Sequence, residues 1–319
     1  MTNKENALRI IHFDHPEKVV GSMPEYGLSY LGMNHESYKG EGHNCPLGTV
    51  WHDIWGTRWH KEHEGVMGFP RGNPLAEVSA LKNYEWPDPE DERLVSKMAL
   101  LKEKFPGGDL FLSGAHRDTL WEKSYMLVGM ENMMMYFYTE PEYAKEILHR
   151  IMDFQIGMAK HYLNYGVEII HFGDDLGTQT GPLLGPTIVN DFLVPEYRRL
   201  FELYKTHNVI FDFHSCGNIY HMLDTFIDLG VNILNPIQAT ANNLPQIREK
   251  TMGKIALLGG VSTDLVMKGS RDSIRTKVKE TINVLGKDGG YFCRPDQGMP
   301  FPEENLKIFW EAVDEFGKY

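Results

Sequence analysis

Short apolar runs alternate with helical patterns over most of this chain, and that alternation constrains the fold more than any other feature. From about residue 107 onward, each apolar run is followed by an amphipathic stretch, which is typical of parallel strands joined by crossover helices. The predicted strands cover residues 18–25, 109–115, 167–173, 208–215, 231–237, 254–260 and 290–295. Repeated units of this kind predict an α/β protein, a single (β/α)8 TIM barrel over residues 1–319, with its active site at the carboxyl ends of the strands.

Helix start signals support this interpretation. The clearest helix is predicted over residues 141–164, where Thr139 and Glu142 form a capping box. A helix over residues 3–11 is expected to begin at Thr2, whose side chain caps the first turn. Further helices are predicted near residues 196–206, 218–229, 243–251, 271–286 and 302–316.

Residues 29–90 do not follow the alternation and are rich in aromatic residues, Gly, Pro and His. A long irregular segment in a compact domain is usually a lid or a binding region, so we expect it to cover the mouth of the barrel. Aromatic side chains in and near this segment could stack on a flat apolar ring, although packing under a long loop would also explain them. The predicted substrate-binding residues are Tyr26, Tyr30, Trp55 and Gln238.

The net charge and the cysteine content indicate which binding partners and which cellular compartment suit this protein. The net charge of −12 disfavours nucleic acid and anionic membranes, which reward clustered Lys and Arg. The amino terminus has charges threaded through its apolar residues, unlike a secretory signal, and no apolar run is long enough to span a membrane. Three widely spaced cysteines are a poor disulfide framework, so we expect a cytoplasmic protein with thiols available as metal ligands.

Two of these cysteines and one histidine form a candidate metal site. His214 and Cys216 end one predicted strand and share a face, because strand side chains alternate with a period of two. Cys293 lies in the last predicted strand. One His and two Cys match the ligand set of a catalytic zinc site with an open fourth position. The alternative is that both cysteines are small buried apolar residues.

Carboxylates near the same strand ends are candidates for proton transfer. Asp174 and Asp175 follow the third predicted strand of the series, and adjacent side chains point apart, so at most one should face the site. We predict that Asp175 does so, as a fourth metal ligand, an orienting group or a general acid. Glu25 and His116, which also follow predicted strands, complete the predicted catalytic residues.

The carboxyl-terminal part of the chain, roughly residues 165–319, contains the motifs HFGDDLGTQTGPLLGP, HSCGN, GVNILNPIQ, KIALLGGVSTDLV and GGYFCRPDQGMPFPEENLKIFW. With these motifs it resembles the uroporphyrinogen decarboxylase superfamily, and within it the corrinoid-dependent methyltransferases. The resemblance implies a (β/α)8 barrel, Zn²⁺ held by His214, Cys216 and Cys293, and a corrinoid (cobalamin) carried by a separate partner protein. It also implies that a methyl group moves between that corrinoid and a small-molecule donor or acceptor.

Several functions stay open within this resemblance. O-demethylation of an aryl methyl ether is preferred, because the segment over the mouth is aromatic; methyl transfer to a thiol of the coenzyme M type is the first alternative. Decarboxylation is a second alternative. Decarboxylases of the superfamily carry an amino-terminal pair of arginines, whereas in this chain the first arginine is Arg9 and the next one is Arg58. A third is a non-enzymatic corrinoid carrier, because Asp212, His214 and Gly217 spell a motif like that of corrinoid-binding modules.

Overall fold

The computed structural model describes all 319 residues and contains ten strands and twelve α-helices. The strands are β1 (Glu25–Gly27), β2 (Val50–His52), β3 (Arg58–His60), β4 (Phe69–Gly72), β5 (Phe111–His116), β6 (Ile169–Gly173), β7 (Ile210–His214), β8 (Ile233–Ile237), β9 (Ala256–Val261) and β10 (Tyr291–Pro295). The helices are α1 (Asn3–His12), α2 (Glu92–Glu103), α3 (Trp121–Val128), α4 (Met130–Thr139), α5 (Pro141–Asn164), α6 (Pro186–Ile188), α7 (Val194–Lys205), α8 (Leu223–Leu229), α9 (Leu244–Thr251), α10 (Thr263–Lys268), α11 (Arg271–Leu285) and α12 (Glu303–Phe316). None of the helices is both long enough and apolar enough to cross a membrane.

Seven parallel strands form the main sheet in the order β1-β5-β6-β7-β8-β9-β10. The sheet curls until its two edges meet: Val20 forms a parallel bridge with Phe292, and the backbone N–H of Cys293 donates to the Val20 carbonyl at 2.9 Å. The predicted barrel-like α/β fold is therefore confirmed, and six of the seven predicted strands coincide with strands of the sheet. The predicted strand over residues 18–25 meets the sheet only through the Val20 bridge and Glu25, because β1 begins at Glu25. The sheet has seven strands rather than the eight of the predicted barrel.

The interior of the barrel is divided into an apolar floor and a polar upper part. Side chains from α1, from five strands and from Met23, just before β1, fill the floor and exclude water there, as expected for a packed barrel core. The floor consists of Ala7, Ile10, Ile11, Met23, Phe111, Ile169, Ile233, Ala256, Leu258 and Phe292. Toward the carboxyl ends of the strands, inward positions change to polar residues, among them His171, Asp212 and Asn235.

Most helix predictions match the structure. Helix α5 has the predicted bounds, and Thr2 caps α1 by accepting the backbone N–H of Glu5. The predicted capping box of α5 is wrong: Thr139 ends α4, and its hydroxyl donates to the carbonyl of Met135 instead. The last turn of α4, directly before α5, therefore contains the residue that the pattern assigned to the cap.

Residues 29–90 form the elaborated segment expected over the mouth, which we call the lid. It contains the antiparallel sheet β2-β3-β4 and lies between β1 and β5 along the chain. Trp59, at the centre of this small sheet, is almost fully buried and stacks on His35 with ring centroids 4.2 Å apart. The lid is thus a packed structure with its own aromatic core.

Candidate active site

A cavity of about 700 Å³ lies between the carboxyl ends of the barrel strands and the lid. The lid contributes Met33, Trp59 and Phe69 to its walls, so one side of the cavity is apolar and aromatic. The barrel side is lined by polar residues, which include His171, Asp175, His214, Cys216 and Gln297. A cavity of this size, mostly apolar with a few convergent polar groups, is the usual form of a small-molecule site.

Three potential metal ligands converge on the barrel side. Asp175, His214 and Cys216 each present one donor atom, and these atoms all lie within 4.8 Å of one another. His214 Nε2 is 3.4 Å from Cys216 Sγ and 3.6 Å from Asp175 Oδ1. The backbone N–H of Cys216 donates to Asp175 Oδ1 at 2.8 Å, which holds the loop after β7 beside the loop after β6. We call these three residues the donor cluster.

Hydrogen bonds behind the donor cluster determine which nitrogen of His214 faces it. Asn235 Nδ2 donates to the Asp212 carboxylate at 2.5 Å, and a carboxylate can only accept in that pair. The amide oxygen of Asn235 therefore faces His214 Nδ1 at 2.9 Å and accepts its proton. The unprotonated Nε2 of His214 is left pointing at Cys216 and Asp175, as a metal-binding imidazole requires.

This hydrogen-bonded chain continues across the barrel interior. Asp212 bonds to His171 Nδ1 at 2.8 Å, and His171 Nε2 bonds to Glu25 at 2.7 Å. Burial alone would lower the pKa of His171, but its bonds to the two carboxylates outweigh burial and raise the pKa to about 10. His171 is therefore a cation at neutral pH, and Glu25, with a pKa lowered by His171 despite its burial, is its counter-ion rather than a free catalytic base.

The donor set fits a zinc ion in its chemistry. Imidazole nitrogen, thiolate sulfur and carboxylate oxygen are the three donor types that zinc takes from proteins. Burial, with the nearby Asp175 charge, raises the pKa of Cys216 to about 12, so the thiol stays protonated unless a cation stabilises the thiolate. The side-chain amide of Gln297 lies beside this sulfur, with Nε2 at 3.1 Å from Cys216 Sγ.

Cys293 does not join the donor cluster, which corrects the predicted set of His214, Cys216 and Cys293. Side chains of β10 alternate, and Phe292 points into the apolar floor of the barrel. Cys293 consequently points outward into the core between sheet and helices, where it is fully buried. Burial raises the pKa of its thiol to about 12.

The two adjacent aspartates have different roles, and Asp175 is the one that faces the cavity. Asp174 is fully buried and accepts the backbone N–H groups of residues 120–122, the first turn of α3. It also accepts the hydroxyl of Tyr197 at 2.5 Å. Asp174 is therefore the N-terminal cap of α3 supplied from another strand, and it fixes the position of that helix at the cavity wall.

Glu122, in the first turn of α3, lines the cavity and was not predicted from the sequence. The hydroxyl of Tyr125 donates to its carboxyl group at 3.1 Å. Burial, reinforced by the negative charges of Asp118, Asp174 and Asp175, raises the pKa of Glu122 to about 9. Glu122 is thus a protonated acid at neutral pH, placed on the wall of the cavity.

His116 was a predicted catalytic residue, but its side chain lies in the core. Its ring is fully buried, with Nδ1 bonded to Gln155 at 2.8 Å and Nε2 to the Tyr204 hydroxyl at 2.6 Å. Burial lowers its pKa to about 4, so the ring is neutral. Both nitrogens are engaged within the protein, which corrects the prediction that His116 handles protons for a substrate.

The predicted substrate-binding residues also lie outside the cavity. Tyr30 and Trp55 are buried and pack edge-on against Phe154 of α5, while Tyr26 packs against the core. Gln238 accepts a backbone N–H from the loop after β7 and so supports that loop from behind. The aromatic contribution of the lid to the cavity comes instead from Trp59 and Phe69.

A row of hydrogen bonds fastens the lid to the barrel. The backbone N–H of Gly68 donates to His43 Nδ1 at 2.7 Å, so the proton of His43 is on Nε2, which faces His35 Nδ1 at 2.8 Å. His35 in turn donates from Nε2 to Asp118, in the loop after β5. Burial lowers the pKa of His43 to about 4, which keeps the row neutral up to the Asp118 carboxylate.

The sequence profile of the uroporphyrinogen decarboxylase (URO-D) family matches residues 68–316. The chain belongs to this family. A methylated-thiol–coenzyme M methyltransferase of Methanosarcina mazei is 24% identical over 193 residues, 59% of this chain and 49% of that protein. A uroporphyrinogen decarboxylase of Microcystis aeruginosa is 24% identical over 202 residues, 61% of this chain and 53% of that protein. The chain spans about half the length of these curated relatives.

A solved structure of a methyltransferase from Methanosarcina mazei superposes on the whole barrel and lid. Its TM-score is 0.73 at 19% sequence identity, and the match covers 99% of both chains. At this identity the similarity establishes the fold that the two proteins share.

Proposed function

We propose that this URO-D family member is a zinc-dependent methyltransferase that moves a methyl group between a small substrate and the cobalt of a corrinoid protein. The observation that carries the proposal is the convergence of His214 Nε2, Cys216 Sγ and Asp175 Oδ1 at one wall of the cavity. Two of these residues are those that the resemblance assigned to zinc. The third, Asp175, takes the place that the sequence had given to Cys293.

Asp175, His214 and Cys216 would hold the metal, and Asn235 would hold His214 in the tautomer that leaves Nε2 free. A zinc ion, when bound, supplies a Lewis acid and stabilises a thiolate at neutral pH. Gln297 is placed to donate a hydrogen bond to the Cys216 sulfur, and this bond would stabilise the negative charge of the thiolate ligand.

An aryl methyl ether is the preferred methyl donor. When the methyl group leaves, the ether oxygen needs a proton, and Glu122 holds one at neutral pH on the cavity wall. Phe69, which is half-buried, offers an aromatic surface on the lid side against which a flat ring can pack, whereas Trp59 borders the cavity but is almost fully buried against His35. The lid thereby supports binding of the ring and α3 supports protonation of the departing oxygen.

A methylated thiol is the second candidate, favoured by the similarity to the Methanosarcina mazei enzyme. Zinc would stabilise the departing thiolate of such a substrate, so its departure depends less on an acid. The same cavity could accept it, with Glu122 unused in the reaction.

Decarboxylation and corrinoid carriage are less well supported by the geometry. A porphyrinogen with many carboxylates needs several cations, whereas the cavity walls carry Arg117 together with the carboxyl groups of Asp118, Glu122 and Asp175. A carrier needs a histidine that is free to reach cobalt. The free nitrogen of His214, Nε2, instead faces the side chains of Cys216 and Asp175.

Metal analysis and a methyl-transfer assay test the proposal together. The purified protein should contain one zinc per chain, and the Cys216→Ala variant should contain none. Mixed with a reduced corrinoid protein, wild type should change the corrinoid absorption spectrum with a methoxyarene or with a methylated thiol. Full methyl transfer by a zinc-free Cys216→Ala protein would refute the role of the donor cluster, and the reactive substrate class would decide between the two candidates.

A further inference from the structure

Arg117 places a positive charge on the cavity wall without a close carboxylate partner. It directly follows β5, lines the cavity and keeps 38% of its side chain accessible. Its Nη1 donates to the amide oxygen of Asn34 at 3.0 Å, and its Nη2 faces the sulfur of Met67 at 3.9 Å. Both of these partners are neutral, and the nearest carboxylate oxygen, on Asp118, is 3.9 Å from Nε.

The other cations near the cavity are already neutralised. His171 lies between Glu25 and Asp212 and bonds to both. Lys123 is almost fully buried and lies 3.8 Å from Asp118. Arg117 is therefore the cationic side chain of the cavity that can still take an anion from a ligand.

Asn34 completes a pair of donors beside this charge. Because its amide oxygen accepts from Arg117, its Nδ2 is directed elsewhere, and that nitrogen makes no hydrogen bond to the protein. Asn34 belongs to the lid and also lines the cavity. A guanidinium and an amide N–H₂ side by side match the oxygens of one carboxylate or sulfonate.

We propose that Arg117 and Asn34 bind a single compact anionic group of the substrate, a carboxylate or a sulfonate, while its methyl-bearing end reaches the donor cluster. The proposal deepens the proposed function, on which it rests for the identity of the reacting end. It limits the substrates to small monoanions with an apolar body, because the remaining lid surface of the cavity is apolar.

Binding measured by calorimetry, without any turnover, tests this inference. The probes are two matched pairs: 4-methoxybenzoate with 4-methoxybenzamide, and 2-(methylthio)ethanesulfonate with 2-(methylthio)ethanol. Wild type should bind at least one anion about 10- to 100-fold more tightly than its neutral partner, the range expected of a hydrogen bond to a charged group. The pair that shows the preference identifies the anion as carboxylate or sulfonate.

Arg117→Gln should abolish this preference. The control is Arg71→Gln: Arg71 is a lid arginine paired with Glu62 on the surface, and its loss should leave the preference unchanged. If Arg117 only fastened the lid, its variant would weaken both members of a pair equally and leave their ratio intact. A retained ratio, equal binding of anion and neutral partner by wild type, or no saturable binding of either anion would each overturn the inference.

The two proposals fail in different ways. If the anion preference depends on Arg117 but no probe is demethylated, the binding site stands and the methyltransferase proposal fails. If methyl groups are transferred equally well from charged and neutral substrates, the methyltransferase proposal stands and the anion-binding site fails.

Discussion

The charge on His171 predicts that the protein loses stability as the pH rises above neutrality. The ring has a pKa of about 10 in the folded protein against about 6.5 in an unfolded chain. A raised pKa stabilises the fold fully below pH 6.5, and this stabilisation disappears between pH 6.5 and pH 10. The full difference between the two pKa values corresponds to about 5 kcal/mol of stability. Because 28% of the His171 side chain is accessible, solvent screens its interaction with the carboxylates, and we expect a contribution of about 2 kcal/mol.

Urea unfolding at several pH values measures this contribution. Between pH 6.5 and pH 10 the free energy of unfolding should fall by about 2 kcal/mol more in wild type than in His171→Gln. Glu122, whose pKa is also raised in the folded protein, contributes to the fall in both proteins and cancels in this difference. His207→Gln, at an exposed position, is the matched control and should keep the wild-type dependence. An identical pH dependence in wild type and His171→Gln would refute the argument that Glu25 and Asp212 hold this ring charged.

Three further substitutions test the site. In metal analysis, Cys293→Ala should retain one zinc per chain, and a zinc-free variant would restore Cys293 as a ligand. In urea unfolding it should lose about 1 kcal/mol of stability, because the substitution leaves a small cavity in the core. Asn235→Ala should weaken zinc binding 10- to 100-fold in chelator competition, because His214 loses the partner that fixes its tautomer, and unchanged affinity would exclude that role. Glu122→Gln should lower kcat for a methoxyarene about 100-fold but have a much smaller effect with a methylated thiol, and equal rates with the methoxyarene would exclude Glu122 as the proton donor.

The sequence predicted those parts of the fold that depend on local pattern. Apolar runs bounded by polar turns gave the strands, and the His214-x-Cys216 spacing placed two donor atoms on one face. The choice of Asp175 over Asp174 followed from the opposite directions of adjacent side chains, although nothing in the sequence said which direction was inward.

The failures have one common cause, the direction in which a buried strand faces. In β10 the run Tyr-Phe-Cys is apolar on both faces, so its pattern cannot show that Phe292 points inward and Cys293 outward. His116, at the end of the apolar β5, was misplaced for the same reason. Glu122 and Gln297 were missed because they lie beyond the strand ends, and only tertiary packing brings them to the cavity.

The lid is inserted into the chain between β1 and β5, whereas every residue of the donor cluster comes from the stretch after β6. The lid side of the cavity and the donor cluster are consequently encoded by separate parts of the chain, and Arg117, after β5, belongs to neither. Insertions or exchanges within residues 29–90 can change the shape of the cavity while the donor cluster keeps its geometry. Under the proposed function, new substrate preferences can therefore arise through the lid without loss of the metal ligands.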